Sequence, residues 1–158
     1  MNNNAIKFLC APSGPKDAAT KKYVDDMISS RKPLITVWAE QSGTISSGHY
    51  EWSFGNGSSG AAHANSGYTM MASGRVLRMG LACSTTGAPS GSTTVIVVVN
   101  GAENTSYGVT KPSGQYSGTS TFTSPLELAQ RDRINFKSAT NDGNVTGAVV
   151  SILIELDL

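Results

Sequence analysis

The chain has 158 residues, 39% of them apolar and 15% charged, with a formal net charge of +1. That length holds one medium domain and a short extra element, but not two full domains. The near-neutral balance leaves no basic face for nucleic acid. Two distant cysteines, Cys10 and Cys83, with no CxxC or Cys/His cluster, argue against a zinc site.

Residues 1–12 open polar and then carry a short extended segment, residues 6–10. Lys7 breaks the apolar stretch around it, which is too short and too polar for a signal peptide. The longest apolar run elsewhere, residues 95–99, is far below membrane-spanning length, so no membrane insertion is expected. The expectation is a protein made in a reducing cytoplasm. Pro12, Gly14 and Pro15 interrupt regular structure. Asp17 is the predicted N-cap of a helix, because its carboxylate can accept a free N–H of the first turn. Residues 18–30 contain neither Gly nor Pro, and Lys32 precedes Pro33, a position that disfavours helix. A helix of about three to four turns is marginal alone. Its stripe of Thr20, Tyr23, Val24, Met27 and Ile28 must bury against the chain's own β-domain or against the same helix of other copies.

From residue 34 the pattern becomes β. Residues 34–40 (LITVWAE) alternate, as do residues 50–54 (YEWSF). Residues 67–72 and 75–83 read as a strand pair around Ser73-Gly74. Residues 92–100 form a β-branched run long enough to be buried on both sides, ended by the Asn100-Gly101 turn signal. Shorter strands are expected at 120–123, 126–129 and 132–138, and a last long strand from residue 145. In that strand Ile152, Ile154, Leu156 and Leu158 fall on one face, and Val149 and Leu153 on the other. Strands without intervening helices predict an antiparallel β-sandwich and exclude a nucleotide-binding α/β fold.

Chemistry is thinly represented. His49 and His63 are the two histidines, each in a Gly/Ser-rich stretch, and no HExxH or GxSxG pattern is present. Glu40 and Glu51 on neighbouring strands could form a glycosidase-like carboxylate pair; strand-end charges paired with Arg75, Arg78 or Arg131 explain them more simply. The run 55–67 lacks the Lys-Ser/Thr and the following helix of a phosphate loop. No enzyme activity, cofactor or metal is expected. Trp38, Trp52 and Phe54 are expected in the core or at a subunit interface. Arg75 and Arg78 are candidates for charge pairing across such an interface.

The segment Pro15-Lys16-Asp17-Ala18-Ala19-Thr20-Lys21-Lys22-Tyr23-Val24-Asp25 resembles the P-x-D-A-x-x-K-x-Y-V-D stretch of phage tail fibres and other trimeric virion appendages. The stretches Trp38-Ala39-Glu40, residues 50–57, residues 74–80, residues 125–129 and the closing Ile154-Glu155-Leu156 look like a β-sandwich module of phage fibre proteins. The resemblance implies a homotrimer with a jelly-roll-like head, similar in plan to tumour-necrosis-factor and C1q heads. Long fibres carry a shaft between anchor and head; here the helix passes almost directly into the sandwich, as in a stubby spike or head fibre. The resulting expectation divides the chain into a virion anchor at 1–16 (Ile6, Phe8, Leu9) that docks on another virion protein, a trimerising helix at 17–32, and a head at 33–158. A Met-Asn-Asn-Asn start frays unless a partner holds it. The loops at 55–66, 87–91 and 111–117 are candidates to face a host-surface glycan or protein, with His63, Tyr68, Lys111, Gln115 and Tyr116 as contacts; Tyr107 is a further aromatic that could stack on sugars. The alternatives are a capsid-decoration, collar or connector protein without a receptor, and a C1q-like secreted binding module.

Overall fold

A computed structural model describes residues 13–14, 19–45, 52, 67–84, 91–141 and 145–158. The chain divides into two units, residues 1–32 and 33–158.

In the first unit the described element is helix α1, Lys21–Ser29. Its N-cap is Thr20, not Asp17: Thr20 is extended, and its Oγ1 accepts from the Tyr23 N–H at 3.1 Å. Asp17 lies outside the described residues. Placing the cap three residues later shortens the helix to nine residues. The i,i+4 pairs Lys21–Asp25 and Lys22–Asp26 brace its solvent face. Arg31 N–H bonds the Ile28 carbonyl at 3.1 Å, and Pro33 follows.

In the second unit the described strands form an antiparallel β-sandwich of two four-stranded sheets. Its strands are β1 (Leu34–Thr44), β2 (Tyr68–Thr69), β3 (Gly74–Ser84), β4 (Thr93–Val99), β5 (Ala102–Lys111), β6 (Ser117–Leu128), β7 (Arg133–Asn141) and β8 (Thr146–Leu156). The first sheet runs β1-β8-β3-β6 and the second β2-β7-β4-β5. Alternation sets which side chains meet between them. Val37 and Ala39, Val76, Met79 and Leu81, and Val150, Ile152 and Ile154 point in from the first sheet. Val95, Val97, Val109, Ile134 and Phe136 meet them from the second. Apart from the single methyl of Ala39, each such side chain contributes roughly 1.5–3 kcal/mol by burial. Trp52 packs edge-on to Phe136, ring centres 6.3 Å apart.

Several expectations hold. β4 is buried on both faces, since Ile96 and Val98 are as enclosed as Val95 and Val97. Asn100 (φ 52) and Gly101 (φ 84) form the two-residue turn between β4 and β5, with both positions left-handed as a type I′ hairpin requires. Others need correction. The predicted strand pair around Ser73-Gly74 does not form: β2 pairs with β7 in the second sheet, and β3 lies in the first. The connection is therefore a corner between sheets. The predicted strands 120–123 and 126–129 are one strand, β6, with a register shift opposite Val76/Arg78. Pro125 sits in that irregular stretch, on an edge strand where a missing N–H costs little. Leu158 is 88% exposed, beyond the end of β8, and does not join the core face.

Pairing register fixes two ends. Leu34, Asn100, Ile134 and Leu156 lie at one, where the Leu156 N–H bonds the Pro33 carbonyl at 2.8 Å. Thr44, Ser84, Thr93, Lys111 and Thr146 lie at the other. An 11-residue strand such as β1 separates the two by roughly 30–35 Å.

Candidate functional site

Among the described residues, the sandwich presents two candidate surfaces. The first is the tight β5–β6 turn at the end opposite Pro33. Gln115 N–H bonds the Pro112 carbonyl at 3.2 Å, and Gly114 takes the left-handed conformation (φ 75) with open space around it. Gln115 and Tyr116 are exposed there. The Tyr116 carbonyl accepts the Cys83 N–H at 2.9 Å and the Cys83 thiol at 3.3 Å, which ties the turn to the end of β3. Gly118 lets β6 cross closely over β5, since a Cβ there would lie 2.0 Å from the Thr110 carbonyl oxygen.

Lys111 is a correction. It is fully buried, not receptor-facing, and its Nζ donates to the Gly91 carbonyl at 2.9 Å. The aliphatic stem fills core space and the carbonyl satisfies the ammonium. Tyr68 is also displaced from the predicted group: it pairs with Ile134 at the end near Pro33, so it shares no patch with Gln115 and Tyr116. Tyr107 packs edge-on to Phe122 at 5.2 Å and donates its hydroxyl to the Pro125 carbonyl at 3.4 Å, which leaves it half-buried. His63 and the anchor residues Ile6, Phe8 and Leu9 lie outside the described residues, as do His49, Glu51 and Phe54. Burial holds the Cys83 thiol above its ordinary value, with the Lys111 charge partly opposing.

The second surface is the outer face of the first sheet. Register lines its outward residues in rows. Leu34, Glu155, Arg75 and Glu127 form one row, then Thr36, Leu153, Arg78 and Thr121, then Trp38, Ser151, Gly80 and Thr119, then Glu40, Val149, Ala82 and Ser117. Val149 and Leu153 are on this face, as the alternation of β8 requires. Trp38 is 46% exposed, and Leu34 and Val149 of the same face are exposed as well. Trp52 alone of the two tryptophans is in the core. Gly80 leaves a shallow depression of about 280 Å³, walled by Thr36, Arg78, Thr119, Ser151 and Leu153. Arg75 is not held in reserve for another subunit: it pairs with Glu155 of the next strand, Nη2 to Oε1 at 2.7 Å. Arg78 donates its Nε to Thr121 Oγ1 at 3.2 Å. Parity was the available signal for this surface. Val37 and Ala39 inward put Trp38 outward, and Arg78, Gly80 and Ala82 share its side.

On α1, Val24, Met27 and Ile28 are exposed, Ile28 by 65%, while Tyr23 is half-buried and Thr20 spends its hydroxyl on the cap. Among the described residues no group of three or more His, Cys, Asp or Glu could hold a metal ion. No described helix is long and apolar enough to cross a membrane.

No protein family matches the sequence, and no curated protein does. Among solved structures, CBM35 from Cellvibrio japonicus Abf62 is similar at 16% identity, with 79% of this chain and 99% of that chain covered and a TM-score of 0.37. The sandwich topology above stands on this chain's own strand pairing and not on that likeness.

Proposed function

We propose that the chain is a non-enzymatic structural subunit of a phage virion: a trimeric fibre or spike protein, anchored through residues 1–16 and displaying its sandwich for attachment to a host-surface glycan or protein. The observation that carries this reading is the helix. The segment that resembles the fibre stretch folds, in its described part, into α1 with Val24, Met27 and Ile28 left in water, and the chain passes from it into the sandwich within four residues, Ser30 to Pro33. A helix of nine residues is marginal alone, so a stripe of this kind calls for company.

The strand order adds support. β1-β8-β3-β6 against β2-β7-β4-β5 is the arrangement of an eight-stranded jelly roll, the head plan implied by the resemblance. The Gln115–Tyr116 turn sits at the end opposite Pro33, where a displayed contact belongs. Three weak contacts on one trimer bind together far more tightly than one.

Light scattering on the full chain tests the assembly: the expected mass is that of a trimer, reduced by Val24→Asp with Met27→Asp. A monomeric wild-type chain would refute it. Labelled protein added to host cells tests attachment, with binding expected for the wild type and reduced by Tyr116→Ala. Assembly without any binding would leave the connector or decoration role in its place.

A further inference from the structure

The outer face of β1-β8-β3-β6 carries a protrusion and a recess of matching kind. We infer that Trp38 of one copy docks into the Gly80 depression of a second copy, so that the sandwiches themselves close the ring. This rests on the trimeric reading above and assigns its contact.

Four observations point to a second copy as the occupant. The first is size. An engineered apolar cavity of about 150 Å³ takes benzene. The recess of about 280 Å³ therefore has room for an indole. The second is position. Among the described residues β1 is a terminal strand of its sheet, so an outward residue on it can reach across to a neighbour's face, whereas the recess extends inboard from Thr36 of β1 across β8 and β3 to Thr119 of β6.

The third is height. Trp38 pairs with Ser151, Ser151 with Gly80, and Gly80 with Thr119, so protrusion and recess lie in one row across the sheet. A contact between two different patches of the same chain generates either a ring or an open filament. A rotation axis along the strands keeps height constant. It brings Trp38 of each copy to the row of Gly80 in the next with no rise per step, and such a contact closes.

The fourth is chemistry. The row itself holds no charge, and Arg78, which walls the recess, forms no ion pair among the described residues. A guanidinium at the edge of the recess is a favourable neighbour for an incoming tryptophan face.

The test uses the full chain. Trp38→Ala removes the protrusion, and Gly80→Val fills the recess. A Cβ at Gly80 first meets the Ser151 hydroxyl oxygen at 3.1 Å, a group that can rotate aside. Thr119→Phe fills the same recess from an exposed position, and decides the matter if Gly80→Val does not fold. Folding is read from the cooperative unfolding of Trp52 fluorescence. The expected result is a wild-type trimer and folded variants that dissociate at least about 100-fold more readily by light scattering. Folded Trp38→Ala and Thr119→Phe proteins that remain trimers as stable as wild type would overturn the inference while leaving the trimeric reading intact, with α1 as its source. A monomeric wild type would overturn both. A monomer whose Trp38 emission shifts on titration with an oligosaccharide would make the face a sugar platform instead.

Discussion

Asn100 and Asp132 clasp two turns at the Pro33 end of the sandwich: Asn100 Nδ2 donates to Asp132 Oδ1 at 2.7 Å. Each also serves the backbone, for the Ala129 N–H reaches Asp132 Oδ2 at 2.7 Å and the Arg133 N–H reaches Asn100 Oδ1 at 2.9 Å. Asp132→Ala leaves the Asn100 amide and the Ala129 N–H without these partners. Both bonds are exposed, so water replaces them in part and the expected loss is about 0.5–1.5 kcal/mol, read as a lower urea midpoint at unchanged slope. Asp132→Asn keeps one acceptor oxygen and should lose less.

Lys111→Met keeps the stem's volume and removes the bond to the Gly91 carbonyl. This part-buried bond is worth about 0.5–1.5 kcal/mol, so the unfolding midpoint should fall. If Lys111 were a surface residue, the substitution would be neutral within about 0.5 kcal/mol.

Cys83 supplies a pH prediction. Desolvation by burial, partly opposed by the Lys111 charge, holds its folded thiol above the ordinary cysteine range, so at neutral pH it is protonated and poorly nucleophilic. In a Cys10→Ser background, alkylation by iodoacetamide should be slower than for an unfolded-chain cysteine and should accelerate through the alkaline range. Stability follows the same sign: the neutral thiol's contribution is complete below the unfolded value and declines as pH rises through the higher folded one. Lys111→Met removes the opposing charge and should slow alkylation further.

Phe136→Ala opens a cavity between the sheets and removes the edge of the Trp52 contact. A loss of about 3–5 kcal/mol is expected, with Trp52 emission shifted to the red as water reaches it.

Thr20→Ala tests the helix start. Losing the Oγ1 acceptor costs ~1 kcal/mol, equivalent to about fivefold faster exchange of the Tyr23 and Val24 amides relative to solvent-exposed controls. Asp17→Ala should leave both rates unchanged.

What the sequence made legible follows from which residues do one job. β4 and its Asn100-Gly101 turn were readable because β-branched burial and left-handed backbone each have a narrow residue vocabulary. β5 was not, since AENTSYGVTK is mostly exposed and only Val109 and Lys111 are buried along it. Lys111 misled because a charge normally marks solvent, whereas here the Gly91 carbonyl, just before β4, meets it. Ser73-Gly74 misled because a short polar link looks the same whether it joins paired strands or crosses from sheet to sheet. Thr20 was assigned to an apolar stripe when its hydroxyl was needed at the cap. The Trp38 face was half legible: alternation gives its side of the sheet, but the Gly80 recess needs β6 and β8 laid alongside β3, which is long-range register.

The pairing of β1 with β8 has a mechanical consequence. The chain comes into the sandwich at Pro33, and β1 then runs the length of the sheet, matched residue by residue from Leu34–Glu155 to Gln41–Ala148. These bonds stand perpendicular to the strand. A pull on Pro33 against a load held at the far turn therefore strains the whole ladder at once, in shear, instead of opening it pair by pair. A particle tethered through this domain would tug on its strongest direction.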